Sequence, residues 1–187
     1  LKLGGDLREV TIMMSDIRGF TSLSESLPPE QVVTLLNRYL GRMTEIILDY
    51  RGTIDEFLGD AVLAVFGAPR SEGNDAQRAA DCALAMQAAM AEVNAANVAD
   101  GLPELEMAIA LNTGRVVAGN IGSERRSKYG FVGHEMNVTS RIEDVTGAGE
   151  ILISHNTREQ LPANYKTGEH RSVSAKGIEE QLVVYPL

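Results

Sequence analysis

The residues best suited to chemistry in this chain are two carboxylates. Asp16 stands in Ser15-Asp16-Ile17-Arg18-Gly19-Phe20-Thr21, and Asp60 follows 44 residues later in Glu56-Phe57-Leu58-Gly59-Asp60-Ala61-Val62. Each acid ends an apolar, strand-like stretch, and one strongly amphipathic helical segment separates them. A sheet that folds back on itself can set the acids side by side, where they repel unless cations intervene. Hard oxygen donors gathered in that way outline a divalent-metal site. Taken singly, either Asp could simply cap a turn.

The elements that must position these acids follow from pattern. Val10 to Ser15 reads as a buried strand entering a Gly-containing turn. Pro28-Pro29-Glu30 opens a helix in which Val32, Val33, Leu35, Leu36, Tyr39, Leu40, Met43, Ile46 and Ile47 recur at helical spacing, and Gly52 stops it. Thr53 to Phe57 and Ala61 to Phe66 read as a hairpin whose tight turn carries Asp60. Asn74-Asp75 is expected to cap a helix running to about Val98, which Gly101-Leu102-Pro103 ends. Further strands are expected at Glu106 to Thr113 and its glycine-containing continuation to Gly122, then at Tyr129 to Val132, Ile151 to Ser154, Tyr165 to Arg171 and Leu182 to Tyr185. Helices are expected at His134 to Asp144 and near Asn156 to Gln160. This order predicts an α+β fold, helices packed on a mixed sheet.

Composition narrows the function. At 187 residues and 44% hydrophobic content, the chain suits one well-buried domain over 1–187. Seventeen basic against 26 acidic residues give a net charge of −9, which repels nucleic acid and leaves no basic run to track a phosphate backbone. The single cysteine, Cys82, lies in an alanine-rich helical segment and reads as a small buried hydrophobe. No apolar run approaches the ~20 residues of a membrane helix. A cytoplasmic domain is expected; because it opens at Leu1 rather than Met, we read it as cut from a longer signalling protein whose other regions could supply regulation or membrane attachment.

Several motifs in order, spanning nearly the whole chain, resemble the class III nucleotidyl cyclase catalytic domain, the adenylyl and guanylyl cyclase family. The resemblance implies a ferredoxin-like fold with a mixed central sheet and packed helices, assembled as a C2 homodimer. It implies that Asp16, Asp60 and the Ile17 carbonyl hold two Mg²⁺ or Mn²⁺ ions per active site, while a ribose 3′-hydroxyl attacks the α-phosphate of its own nucleotide and expels pyrophosphate. Phe20 and Thr21, in the turn that leads into a short helical stretch, correspond to residues whose N–H groups bind the β- and γ-phosphates. Arg115 and Lys176 correspond to family residues that meet phosphate. Asn137 and Arg141, four apart on one helix face, correspond to the ribose-orienting Asn and the Arg that stabilises the transferring phosphoryl group.

The base-reading positions point to the substrate. Four residues before the second metal Asp, adenylyl cyclases typically carry lysine, a donor to adenine N1; here Glu56 stands there. An ionised carboxylate only accepts hydrogen bonds, which suits the N1–H and 2-amino donors of guanine. Facing adenine's N1 lone pair would cost on the order of 1 to 3 kcal/mol, roughly ten-fold or more in selectivity. The second position is Gly130, which departs from the Asp or Thr of adenylyl cyclases and the Cys of animal guanylyl cyclases; the Glu/Gly pair resembles that of a cyanobacterial guanylyl cyclase. With no side chain at Gly130, a backbone N–H or water would have to meet guanine O6.

The expected activity is therefore a guanylyl cyclase converting GTP to cyclic GMP. The resemblance places Asp16, Asp60, Phe20, Thr21 and Arg115 of one chain, with Asn137, Arg141, Lys176 and Glu56 of the other, at each interfacial site. An adenylyl cyclase with an unusual base pocket, a catalytically silent nucleotide-binding dimerisation module, and a phosphohydrolase are the competing readings. His134, His155 and His170 are dispersed and receive no catalytic role.

Overall fold

The computed structural model describes residues 3–174 and 181–187. Its order is β1 (Gly4–Ile17), α1 (Phe20–Ser26), α2 (Pro29–Asp49), β2 (Thr53–Leu58), β3 (Ala61–Phe66), α3 (Asp75–Ala99), β4 (Met107–Gly122), β5 (Ser127–Val132), α4 (His134–Asp144), β6 (Ile151–Ser154), α5 (His155–Glu159), β7 (Arg171–Val173) and β8 (Leu182–Pro186). The first four strands lie in the order β2-β3-β1-β4. All three pairings among them are antiparallel. With helices between β1 and β2 and between β3 and β4, this is the split βαβ arrangement of a ferredoxin-like core. β6 extends it in parallel on β4, and β8 and β7 follow antiparallel. The sheet is therefore mixed, as expected.

The central strands are covered on both faces, which is why the stretch Val10–Met14 of β1 reads as an almost continuous apolar run rather than an alternation. Met13, Ile17, Met107, Ile109 and Leu111 pack on one face against Leu35, Tyr39, Met43 and Ile47 of α2 and Ala79, Ala83 and Met86 of α3. Ala110 and Leu152 meet Val138 and Ile142 of α4 on the other. Cys82 is fully buried in the first cluster, and burial pushes its thiol up to about 12, so it is inert packing.

Three expectations need correction. The strand expected over 165–171 is only the short β7; Tyr165 instead donates to Asp81 Oδ1 at 2.5 Å and packs on the core. Asn74 sits at the start of α3 without a side-chain capping bond, because its Oδ1 accepts from Arg78 Nε at 3.2 Å. β1 begins at Gly4, six residues before the apolar run, because its polar start pairs with the far half of β4. Among the described residues, no helix is long and apolar enough to cross a membrane.

Candidate active site

β1 and the β2–β3 hairpin bring the two acids together. Asp16 is the penultimate residue of β1, and Ser15 pairs with Val62 just past the hairpin turn. That turn has two residues, Gly59 and Asp60, since Leu58 pairs with Ala61. Gly59 takes φ 65°, a left-handed conformation that a tight hairpin needs and glycine adopts freely. Asp60 then turns back onto β1, and its Oδ2 accepts the Ile17 N–H at 3.0 Å. Burial is the largest cause that raises the Asp60 pKa, with the charge of Asp16 adding to it and the Ile17 hydrogen bond opposing it.

Asp16 is held from its other side by groups that sequence patterns did not single out. Arg18 Nη1 lies 3.3 Å from Asp16 Oδ2, and Arg18 Nη2 lies 3.0 Å from Glu143 Oε1. Arg18 also donates to the Thr146 carbonyl at 2.9 Å and to the Glu143 carbonyl, so it ties the end of β1 to the end of α4. Glu143 is buried, and its pKa is pushed up by that burial first and by Asp16 second. Beneath this layer, the Tyr39 hydroxyl meets Ser15 Oγ at 3.2 Å. Burial raises the phenol's pKa, so it stays neutral.

This end of the sheet fits a divalent cation. Asp16 Oδ1 is buried with no hydrogen-bond partner. The charge of Asp16 raises the cost of ionising Asp60, and hard carboxylate oxygens are the donors Mg²⁺ and Mn²⁺ prefer. Among the described residues, no group of three or more His, Cys, Asp or Glu side chains is arranged for a metal, so the two carboxylates are the side-chain donors on offer.

Phe20 and Thr21 open α1 after Gly19, whose φ of 73° turns the chain out of β1. Thr21 is exposed, and Phe20 packs its ring against the main core. The N–H groups of Phe20, Thr21 and Ser22 lack intrahelical acceptors.

The remaining residues face elsewhere. Asn137 and Arg141 lie on the exposed side of α4, and Arg141 Nη1 rests 3.4 Å from Asp144 Oδ2. Glu143, which turns inward to Arg18, is two residues past Arg141 and so roughly 200° around the helix. Within one chain Arg141 therefore points away from Asp16. Arg115 is exposed on β4 opposite Glu9, whereas Asp16 pairs with Ala108. That offset is roughly 23 Å along a strand, and its odd number of residues puts Arg115 on the other face. The structure does not bring Arg115 to the two acids. Lys176 lies outside the described residues.

Glu56 is exposed on β2 and meets the β4–β5 hairpin. A β-bulge at Asp55 sits between the Ile54–Ala64 and Glu56–Leu63 pairs. Lys128 Nζ of β5 lies 3.0 Å from Asp55 Oδ1 and 3.9 Å from Glu56 Oε2. Gly130 packs beside this group: a Cβ there would meet Lys128 Cε at 3.4 Å, Ile121 Cδ1 at 3.7 Å and Asp55 Oδ1 at 4.0 Å. Sequence reasoning singled out Glu56 and Gly130 but not the Asp55 and Lys128 beside them.

All three histidines border one cavity of about 780 Å³ behind α4, where His155 Nδ1 lies 3.3 Å from the Tyr185 hydroxyl. None of its lining residues belongs to the groups above.

Comparison with known proteins agrees with this geometry. Residues 5–187 match the family model described as the adenylate and guanylate cyclase catalytic domain. "Adenylate cyclase 1" of Rhizobium meliloti (strain 1021) is 39% identical over 180 residues, 95% of this chain and 27% of that protein. The chain thus spans under a third of the length of that relative. Among solved structures, the guanylyl cyclase Cya2 superposes with a TM-score of 0.95 at 49% identity, covering 98% of this chain and 93% of that one. The adenylyl cyclase CyaB from P. aeruginosa follows with a TM-score of 0.93 at 38% identity, covering 98% and 95%. With the fold and the matched length in agreement, the chain belongs to the class III nucleotidyl cyclase family and forms its catalytic domain.

Proposed function

We propose that this domain is a guanylyl cyclase, converting GTP to 3′,5′-cyclic GMP and pyrophosphate. The observation that carries the reading is Glu56, an exposed acceptor-only carboxylate four residues before Asp60, on β2 facing the β4–β5 hairpin that carries Gly130. It suits guanine's N1–H and 2-amino group. The 49% identity to a structure named as a guanylyl cyclase supports the same choice.

In this reading Asp16, Asp60 and the Ile17 carbonyl hold two Mg²⁺ or Mn²⁺ ions, which when bound lower the pKa of the ribose 3′-hydroxyl and neutralise the triphosphate. Phe20 and Thr21 offer backbone N–H groups to the β- and γ-phosphates. Asn137 orients the ribose, and Arg141 stabilises charge on the α-phosphoryl group as it transfers. Arg115 and Lys176 are assigned to phosphate on the resemblance alone. Because Asn137 and Arg141 face away from the acids of their own chain, a second copy must supply them, and a two-fold homodimer completes two equivalent sites. The exposed Phe57, Leu58, Val117 and Val132, on the β2–β3 and β4–β5 hairpins, are apolar surface suited to that contact. Regulatory regions would lie outside this segment.

An adenylyl cyclase is the second reading. The Lys128 ammonium beside Glu56 is a donor that adenine N1 could accept, and relatives carry both names. Turnover of GTP and ATP by the purified domain with each metal separates the two: cyclic GMP as the dominant product is expected, and preferred conversion of ATP would refute the guanine assignment.

A further inference from the structure

Helix α4 carries Asn137 and Arg141, and its C-terminal end is poorly closed by its own sequence. Glu143 and Asp144 place two acids where the aligned peptide dipoles already leave partial negative charge. No left-handed residue caps the helix there either, since Val145 follows at φ −103°. The last carbonyls therefore call for a donor from another element.

Arg18, the residue after β1, is that donor. Its guanidinium donates to the carbonyl of Glu143 and, at 2.9 Å, to that of Thr146, and it lies 3.0 Å from Glu143 Oε1. The contact with Asp16 Oδ2 is the longest of the set, at 3.3 Å. The Arg18 backbone is fixed in turn, because its N–H donates to the Glu106 carbonyl at 2.8 Å. A planar fork of N–H donors holds two carbonyls and a carboxylate in one geometry, as a flexible ammonium does not. At the opposite end of the helix, Asn112 Nδ2 of β4 donates to the Glu135 carbonyl at 3.2 Å. Side chains of other elements thus pin α4 at both ends, and Asn137 and Arg141 stand exposed between the pins.

We infer that Arg18 is a positioning residue for Arg141: it caps α4 from the end of β1 and so fixes the helix that presents Asn137 and Arg141 to the substrate. This rests on the two-chain site proposed above. In that site Asp16 serves the metal half of one centre, whereas the α4 that Arg18 braces serves the other. The arginine therefore acts on the centre that its own neighbouring acids do not build. A helix end that moves by an ångström carries Arg141 off the transferring phosphoryl group, and misplacement on that scale costs up to roughly 10²-fold in rate.

The test uses a mixed dimer with one working centre. Asp60→Asn and Arg141→Ala chains bearing different affinity tags are combined, and the mixed species is isolated through both tags. Its working centre takes the metal half from the Arg141→Ala chain and α4 from the Asp60→Asn chain. Arg18→Met is then added to one chain at a time. In the Asp60→Asn chain it should lower kcat about ten-fold or more, with the Mn²⁺ concentration for half-maximal rate unchanged, because the acids of the working centre lie in the other chain. In the Arg141→Ala chain it should spare kcat and shift at most the Mn²⁺ requirement, through Asp16. Arg18→Lys in the Asp60→Asn chain should restore part of the lost kcat, since it returns the charge without the fork. Hydrogen exchange should show faster opening of the last turn of α4 with Arg18→Met and an unaltered central sheet; if Arg18→Met does not fold, Arg18→Lys carries the same two-chain comparison. A kcat unmoved by the change in the Asp60→Asn chain, or an equal loss from either chain, overturns the assignment. A mixed dimer that is inactive before Arg18 is altered overturns the two-chain reading beneath it instead.

Discussion

The two ends of this domain's chemistry are built in opposite ways. At the Asp16 end, the acids are tied from within the chain: Asp60 accepts the Ile17 N–H, and Arg18 spans Asp16, Glu143 and Thr146. At the other end, Glu56, Asn137 and Arg141 stand exposed on β2 and α4, with their neighbours on one side only. A buried, cross-tied cluster keeps two acids at fixed separation despite their repulsion. An exposed set has no such need until a nucleotide and a second chain cover it. The difference teaches that folding alone preorganises the acids, whereas in the homodimer we propose the exposed set is completed only on assembly.

The comparison can be broken most severely at the preorganised end. Asp60→Asn keeps an acceptor for the Ile17 N–H but loses the charge, so cyclase activity should fall by about 10²-fold or more while the melting temperature shifts little. Steady-state assays and thermal melts check both halves of that expectation. At the exposed end the same kind of change should redirect rather than abolish. Glu56→Lys should lower kcat/KM for GTP by roughly ten-fold or more and leave folding unaffected, and unchanged GTP kinetics would remove Glu56 from base reading.

The smallest effect should come from Glu143. Burial and Asp16 hold its carboxyl protonated well above the ordinary value of 4.5, with a pKa of about 8 in the fold. A raised pKa means that this group's contribution to stability is complete below the unfolded value of 4.5 and is lost as pH rises through about 8. Glu143→Gln cannot ionise, so in EDTA it should match wild type near pH 5 and melt a few degrees higher, ~3 to 6 °C, near pH 8. Parallel pH profiles for the two proteins would contradict this account of the buried cluster.

Much of this was legible in the residues, for reasons that differ by element. Helix α4 over His134–Asp144 and strand β6 over Ile151–Ser154 matched their expected bounds because apolar spacing alone defines them. The hairpin with Asp60 in its turn was equally plain from Gly59 between two apolar runs. Where backbone pairing rather than side-chain pattern decides, the pattern was blind. Gly4 to Glu9 is polar and exposed, yet it is strand because β4 pairs with it. Arg18 and Glu143 stand 125 residues apart, and nothing local links a turn arginine to a helix glutamate. The Asp55 bulge is a register shift, which composition does not encode, and without it Lys128 has no visible partner. Arg115 is a different case: the resemblance assigns it to the triphosphate, and strand register sets it exposed on β4, seven residues along from the Ala108 that pairs with Asp16.

The claim that a preorganised half meets an exposed half from a second chain is tested most directly by mixing two inactive variants. Asp60→Asn damages only the metal-holding half, and Arg141→Ala only the α4 half. In a two-fold dimer a mixed pair places both defects in one site and leaves the other intact. Random mixing should therefore restore cyclase activity to about a quarter of wild type. Restoration at that level is the result the account predicts; activity that stays at the level of either variant alone would contradict it.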